Sequence, residues 1–163
     1  MEEMESEVKD LDSLHDSDQF LFDLQEYNDR LNYIFDNEPD LYNLKARILD
    51  SGDTVGVAIS MGSESVIVLA YDSDKKEVKS TTGQKVSNLL IIEEGEVGDL
   101  YVYSVLGTML ACDPTLNVED AMDMLEEMSK YATNGSDEYY VHNEVTYVIA
   151  VANGMTITSC RIE

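Results

Sequence analysis

Basic residues are scarce in this chain of 163 residues: 10 Lys and Arg stand against 34 Asp and Glu, and the formal net charge at pH 7 is −24. The phosphates of nucleic acids and the surfaces of anionic bilayers repel a chain of this charge. We therefore expect neither a nucleic acid nor a membrane as a direct ligand. The partner that this charge favours is a basic protein.

Long apolar runs and a leader-like N-terminus are also lacking. No stretch approaches the roughly 18 apolar residues that span a bilayer, and the opening MEEMESEVKD has neither a basic nor an apolar segment. These absences predict a cytoplasmic protein. The two cysteines, Cys112 and Cys160, form no Cys-x-x-Cys or Cys/His pattern, which favours buried free thiols over a disulfide or a metal site.

Residues suited to catalysis are few. The two histidines are His15 and His142, and neither glycine-rich phosphate-loop pattern occurs. Residues 16–18 (DSD) and 72–77 (DSDKKE) resemble the start of a calcium loop but lack its glycine and distal Glu, and the second is more typical of a hairpin turn. We expect no enzymatic activity, no cofactor and no bound metal.

A folded core is nevertheless expected. The hydrophobic fraction of 44% is too high for a disordered acidic protein, and only residues 1–17 have the composition of a disordered tail. We predict a flexible acidic arm over 1–17 and a single domain over 18–163.

The charge is unevenly distributed along the chain. Acids outnumber bases by 15 to 4 in residues 1–50 and by 12 to 1 in 93–138, but only by 5 to 4 in 51–92 and by 2 to 1 in 139–163. The two acidic blocks contain the segments with helical periodicity. We predict an α+β fold in which three to four acidic amphipathic helices pack on an antiparallel sheet built from hairpins at about 54–72 and 145–162.

The first acidic block predicts two helices. In residues 18–36, apolar residues recur at spacings of three and four. They are Phe20, Leu24, Tyr27, Leu31 and Ile34. A second helix is predicted over 39–50, because Pro39 fits a first turn, Leu41, Leu44 and Ile48 form a stripe, and Gly52 follows the end.

Residues 51–111 predict a hairpin, then a strand and a helix. The turn Gly62-Ser63 is typical of type II′ and opposes Ile59 to Val66 and Val57 to Val68. Residues 75–92 favour a strand over a short helix. Residues 93–111 predict a helix whose small residues would pack closely against the sheet. These are Ser104, Gly107, Thr108 and Ala111.

The C-terminal third carries the clearest local signals. A helix is predicted over 118–132, capped by Asn117 and ended by Asn134-Gly135. Its predicted apolar stripe is Val118, Ala121, Met122, Leu125, Met128 and Ala132. Asn153-Gly154 predicts a type I′ turn that places Ile149 opposite Thr158 and Tyr147 opposite Cys160.

Two groups of acids are candidate partner-binding residues. The first group lies on the 118–132 helix at spacings that bring carboxylates within about 5 to 6 Å of one another. Its members are Glu119, Asp120, Asp123, Glu126 and Glu127. The second group, on the 18–36 helix, comprises Asp23, Glu26 and Asp29. A solvated helix face explains scattered acids equally well, but such a face ordinarily interleaves Lys or Arg.

These features favour a non-enzymatic inhibitor of a basic nucleic-acid-handling protein, in which the acid occupies the place of phosphate. In size and composition, the chain is similar to the small acidic proteins of phages and mobile elements that block restriction or CRISPR enzymes. No alignable motif carries that similarity. Two alternatives remain: an immunity or regulatory protein that neutralises a toxin or enzyme, and a protein of a high-salt organism whose acid serves solvation.

Overall fold

In the computed structural model, the described residues form one antiparallel sheet of seven strands with three α-helices packed on one face. The structure describes residues 20, 22–41, 43–94, 98–113, 115–131, 136–142, 145–152 and 155–162. The predicted arm over 1–17 lies outside these residues. The α+β class and the antiparallel sheet are confirmed.

The helices are α1 (Leu24–Asn37), α2 (Asp99–Cys112) and α3 (Val118–Tyr131). The strands are β1 (Leu44–Asp50), β2 (Val55–Met61), β3 (Glu64–Tyr71), β4 (Asn88–Glu94), β5 (Ser136–His142), β6 (Val145–Ala152) and β7 (Met155–Ile162). Their order in the sheet is β1-β2-β3-β4-β7-β6-β5. The last strand in the chain therefore lies beside β4 in the middle of the sheet and joins the two halves.

Both predicted hairpins form with the predicted registers. Ile59 pairs with Val66 in β2–β3, and Ile149 pairs with Thr158 in β6–β7. Gly62 has a φ of +63° while Ser63 is not left-handed, which fits the type II′ turn. The predicted turn residues 153–154 lie outside the described part. Residues 88–94 confirm a strand near the end of the 75–92 segment, and residues 72–77 form a turn closed by a bridge between Tyr71 and Glu77.

The helix predicted over 39–50 is wrong. Pro39–Leu41 forms one 3₁₀ turn, and the next element is the edge strand β1. Leu44 and Ala46 face the core while Lys45 and Arg47 are exposed. This alternation is typical of a strand, but the spacing of the apolar residues also fitted a helix. Hydrogen bonding along β2 decides the outcome, because it supplies partners for seven residues of β1.

The first helix starts later than predicted. Phe20 and Phe22 precede it in extended chain: the Phe20 N–H donates to Val86 O, and the Val86 N–H donates to Phe22 O. Asp23 then caps α1. Near its other end the buried residue is Phe35, while the predicted core residue Ile34 is only partly buried.

The helix α2 departs from the prediction of acidic helices. It carries one acid, Asp99, and eleven of its 14 residues are buried. The small residue Gly107 lies against α1, since a Cβ there would come within 2.7 Å of Phe35 Cε1. Thr108 also faces α1, where its Oγ1 lies 2.7 Å from Tyr27 Oη. The predicted close packing of small residues therefore occurs between two helices rather than against the sheet.

The other side of α2 is attached to the sheet by a buried tyrosine. Tyr101 Oη lies 2.6 Å from Thr158 Oγ1 on β7 and donates to Ile91 O on β4 at 3.1 Å. Burial raises the pKa of Tyr101 above its ordinary value, so the hydroxyl stays protonated at neutral pH. Cys112 and Cys160 are free and buried, as predicted, and burial raises the pKa of the Cys112 thiol.

The helix over 118–131 confirms the prediction for that segment, with one shift in its buried face. Asn117 Oδ1 accepts the Asp120 N–H at 2.8 Å and so caps the helix as expected. Met124 is buried where Met122 was predicted, and Met122 is exposed. Ala132 and the predicted stop at Asn134-Gly135 lie outside the described residues.

The contact at Gly107 gives a test of the helix packing. Gly107→Ala should lower the free energy of unfolding by about 1 to 3 kcal/mol, because the new methyl overlaps the Phe35 ring. Without that overlap the change would stabilise a helix interior. Urea unfolding should show this loss, whereas Gly98→Ala meets no atom within 4 Å and should cost at most about 1 kcal/mol, the preference for Gly over Ala at a helix N-cap. A stabilising Gly107→Ala would contradict the packing.

Two buried tyrosines should respond in opposite ways to loss of the hydroxyl. Tyr147 Oη is buried and has no hydrogen-bond partner among the described atoms. Tyr147→Phe should therefore raise the free energy of unfolding by about 1 kcal/mol, since an unsatisfied polar group leaves the core. Tyr101→Phe should lower it by a similar amount, because Thr158 and Ile91 lose a partner. Equal effects in denaturant titrations would contradict this assignment.

Candidate acidic binding surface

The five candidate acids of α3 are all exposed. Three turns of the helix display them because Ala121, Leu125 and Met128 are buried on its opposite face. The helix packs against α2 and against strands β5 and β6. Residues 118–128 contain no Lys or Arg, so no base interrupts the carboxylates along this length.

Three of these acids line a groove between α3 and the end of β5. Asp120, Asp123 and Glu127 follow one another at spacings of three and four along its wall. The groove has a volume of about 430 Å³, and Leu116, Met124 and His142 complete its lining. Glu119 and Glu126 do not line it. The predicted stripe is thus divided into acids of the groove and acids of the outer helix face.

A buried carboxylate holds the histidine of this groove. His142 Nδ1 lies 2.7 Å from Asp113 Oδ2, and the Asp113 side chain is fully buried while that of His142 is 40% exposed. Asp113 Oδ1 accepts hydrogen bonds from the N–H and the hydroxyl of Thr115, at 3.0 and 2.6 Å. The imidazole therefore has a fixed orientation, with its open side toward the groove. Sequence reasoning missed this pair, since 29 residues separate its members.

The second predicted group, on α1, is only partly available. Asp23 is buried: its Oδ1 accepts the Glu26 N–H and its Oδ2 accepts the Gly83 N–H, both at 2.9 Å. Glu26 Oε2 in turn accepts the Asp23 N–H, which completes a capping box. Asp23 is therefore occupied within the fold, while Glu26 and Asp29 are exposed.

A second groove adjoins the first and is more apolar. It lies between α1 and the segment before α3, has a volume of about 450 Å³ and shares Leu116 with the acidic groove. Its other lining residues are Asp29, Arg30, Tyr33, Ile34, Glu38 and Leu110. Tyr33 is 71% exposed, the largest exposed fraction among the large apolar side chains of the described residues. Sequence reasoning overlooked it, because the helical stripe of α1 accounts only for buried positions.

The one base of α1 lies within this second groove. Arg30 Nε donates to Ala111 O at 2.9 Å, near the C-terminal end of α2, where a positive charge is favourable. Burial lowers the pKa of Arg30 from its ordinary value. The guanidinium is therefore engaged with α2, and it also interacts electrostatically with Glu26 one turn earlier in α1. We call Glu26, Asp29, the five acids of α3 and the two grooves between them the acidic surface.

In the described part of the chain, no group of three or more His, Cys, Asp or Glu is arranged to hold a metal ion. None of its helices has the length and apolar character needed to cross a membrane. The DSD segment at 16–18 lies outside the described residues.

No protein-family model, curated protein or solved structure matches this chain.

Stability measurements can distinguish the structural acid of α1, Asp23, from its exposed acid, Asp29. Asp23→Ala should lower the free energy of unfolding by about 1 to 2 kcal/mol, because the helix cap and the bond to Gly83 are lost together. The matched Asp29→Ala, at an exposed position, should change it by less than about 0.5 kcal/mol. Urea titrations of both variants measure the difference. Equal losses would place Asp29 in a structural role as well.

Proposed function

We propose that this chain is a non-enzymatic cytoplasmic inhibitor that binds a basic nucleic-acid-handling protein through its acidic surface and occupies the place of phosphate there. The observation that carries the proposal is the row of five exposed carboxylates on α3, which no Lys or Arg interrupts between residues 118 and 128. Like charges at spacings of three and four destabilise a helix, and Lys130 is the one base of α3, so most of the row has a cost that a basic partner would offset. Anti-restriction and anti-CRISPR proteins are the functional class we propose.

Groove geometry supports recognition of basic side chains. Asp120, Asp123 and Glu127 converge on one concavity, where a Lys or Arg side chain could meet two carboxylates at once. Leu116 and Met124 offer apolar contact to the aliphatic stem of such a side chain. Long-range attraction between the surface of a −24 chain and a basic protein would also accelerate association.

A second function is favoured by the apolar groove. Tyr33 and the neighbouring Ile34, Leu110 and Leu116 form an apolar site beside the acid, and exposed tyrosines often anchor protein interfaces. An immunity or regulatory protein would use such an anchor for affinity and the acid for steering. In this alternative the partner need not bind nucleic acid at all.

The two functions differ in what the acid contributes. The immobilised chain should capture a basic protein from lysate of its host, with elution that depends steeply on salt, and mass spectrometry would identify the captured protein. Asp123→Asn/Glu126→Gln/Glu127→Gln should weaken binding of that purified protein by roughly 10- to 100-fold and remove competition with DNA. Under the immunity alternative, Tyr33→Ala should weaken binding more than the triple variant does.

The control must match the change in net charge. Asp53→Asn/Glu64→Gln/Asp74→Asn also removes three exposed carboxylates, which lie before β2, at the start of β3 and in the 72–77 turn, outside the acidic surface. It should leave the affinity within about threefold, since distant exposed charges are screened at physiological salt. Equal weakening by both triple variants would show that net charge alone is responsible and would reject the surface. Unchanged DNA competition by the first variant would reject phosphate mimicry.

A further inference from the structure

The face of the sheet opposite the helices is apolar at its centre. Three of the five large apolar side chains that are exposed in the described residues lie on it: Ile67 (46%), Ile92 (40%) and Val141 (54%). Core-facing neighbours such as Val66, Val68 and Ile91 point the other way, beneath the helices. We call this opposite side the open face, since none of the three described helices packs on it.

The apolar residues of the open face are contiguous across four strands. Leu69 of β3 pairs with Leu90 of β4, Ile92 of β4 pairs with Ile157 of β7, and Ile157 pairs with Ala150 of β6. Monomeric proteins rarely expose an extended apolar patch of this kind without a use for it.

Charge differs between the two sides of the molecule. The strand register places three bases on the open face, Lys45, Arg47 and Arg161, and two acids, Glu94 and Asp137. The exposed acids of α1 and α3 lie on the helix side. The open face is thus the side of this −24 chain on which another acidic molecule meets least repulsion.

We propose that the open face binds a second copy of this chain, sheet against sheet. Seven strands about 4.8 Å apart and about seven residues long, at roughly 3.3 Å per residue, present about 700 to 800 Å². A stable interface buries about 800 Å² on each partner. The whole face is therefore close to the size that a two-fold symmetric dimer needs, in which the same patch serves both copies.

Charge repulsion favours this arrangement over pairing through the helix side. Sheets stack about 10 Å apart, and each copy adds a helix layer about 10 Å thick, so the two acidic surfaces would lie roughly 30 Å apart. That distance is several times the Debye length of about 8 Å at physiological salt. Helix-to-helix pairing would bring the acids together instead.

Pairing through the β1 edge is also disfavoured. Asn32 of α1 satisfies that edge: its Nδ2 donates to Ala46 O and its Oδ1 accepts the Ala46 N–H, both at 2.8 Å. A side-chain amide thus occupies backbone groups to which another strand would bind.

Sedimentation of the full-length chain tests the proposal. At about 100 µM in 0.15 M NaCl the chain should sediment as a dimer, and 0.5 M NaCl should favour the dimer further by screening the acid. Ile92→Lys should weaken dimerisation by roughly 30-fold or more, as expected for a central interface residue. This substitution makes the net charge less negative, so general repulsion cannot explain the dissociation.

Met122→Lys is the matched control, because Met122 is equally exposed but lies on α3 on the helix side. It should leave the dimer intact. Circular dichroism should show native structure in both variants, and Ile67→Lys replaces Ile92→Lys if the latter does not fold. A monomer at 100 µM in both salts overturns the proposal, as does a dimer that survives the open-face substitution or one that Met122→Lys disrupts equally.

Discussion

The burial of α2 is the constraint on which the rest of the structure depends. A helix that is apolar on all sides must be covered on all sides. The sheet covers one side through contacts such as Tyr101 with Thr158, and α1 covers another where Phe35 lies against Gly107. Because α1 and α3 flank α2, each needs one apolar face and can have a fully polar outer face. The display of acid is thus a consequence of where the apolar helix lies.

Sequence patterns predicted the parts of this fold that depend on residues close together in the chain. Alternation and turn residues gave the registers of β2–β3 and β6–β7, and Asn117 gave the start of α3. The strand β1 was mistaken for a helix because Leu44 and Ile48, four residues apart, satisfy both periods, and the deciding contacts come from β2. The α2 helix was found, but its burial depends on neighbours that no local window contains.

In the candidate site too, only the features that depend on local sequence could be predicted. Exposed acids on α3 follow from helical spacing alone, so their positions could be predicted. The burial of Asp23 could not, because Gly83, which binds its second oxygen, lies 60 residues away. The pairing of Asp113 with His142 and the shared use of Leu116 by two grooves likewise arise only when α2, α3 and β5 come together.

The acids along α3 differ in how well the helix itself compensates their charge, so they do not all argue equally for a basic partner. Glu119 and Asp120 lie in the first turn, where the helix dipole favours negative charge. Glu126 and Glu127 lie about two turns further on, beyond the reach of that effect, and Asp123 lies between them at like-charge spacings. The helix dipole offsets the first pair, and Lys130 follows Glu126 and Glu127 at the favourable spacings of four and three. The electrostatic case for a basic partner is therefore strongest at Asp123, which has no Lys or Arg within four residues on either side. A dimer formed through the open face would present two such surfaces on opposite sides, where two partner sites could engage them independently.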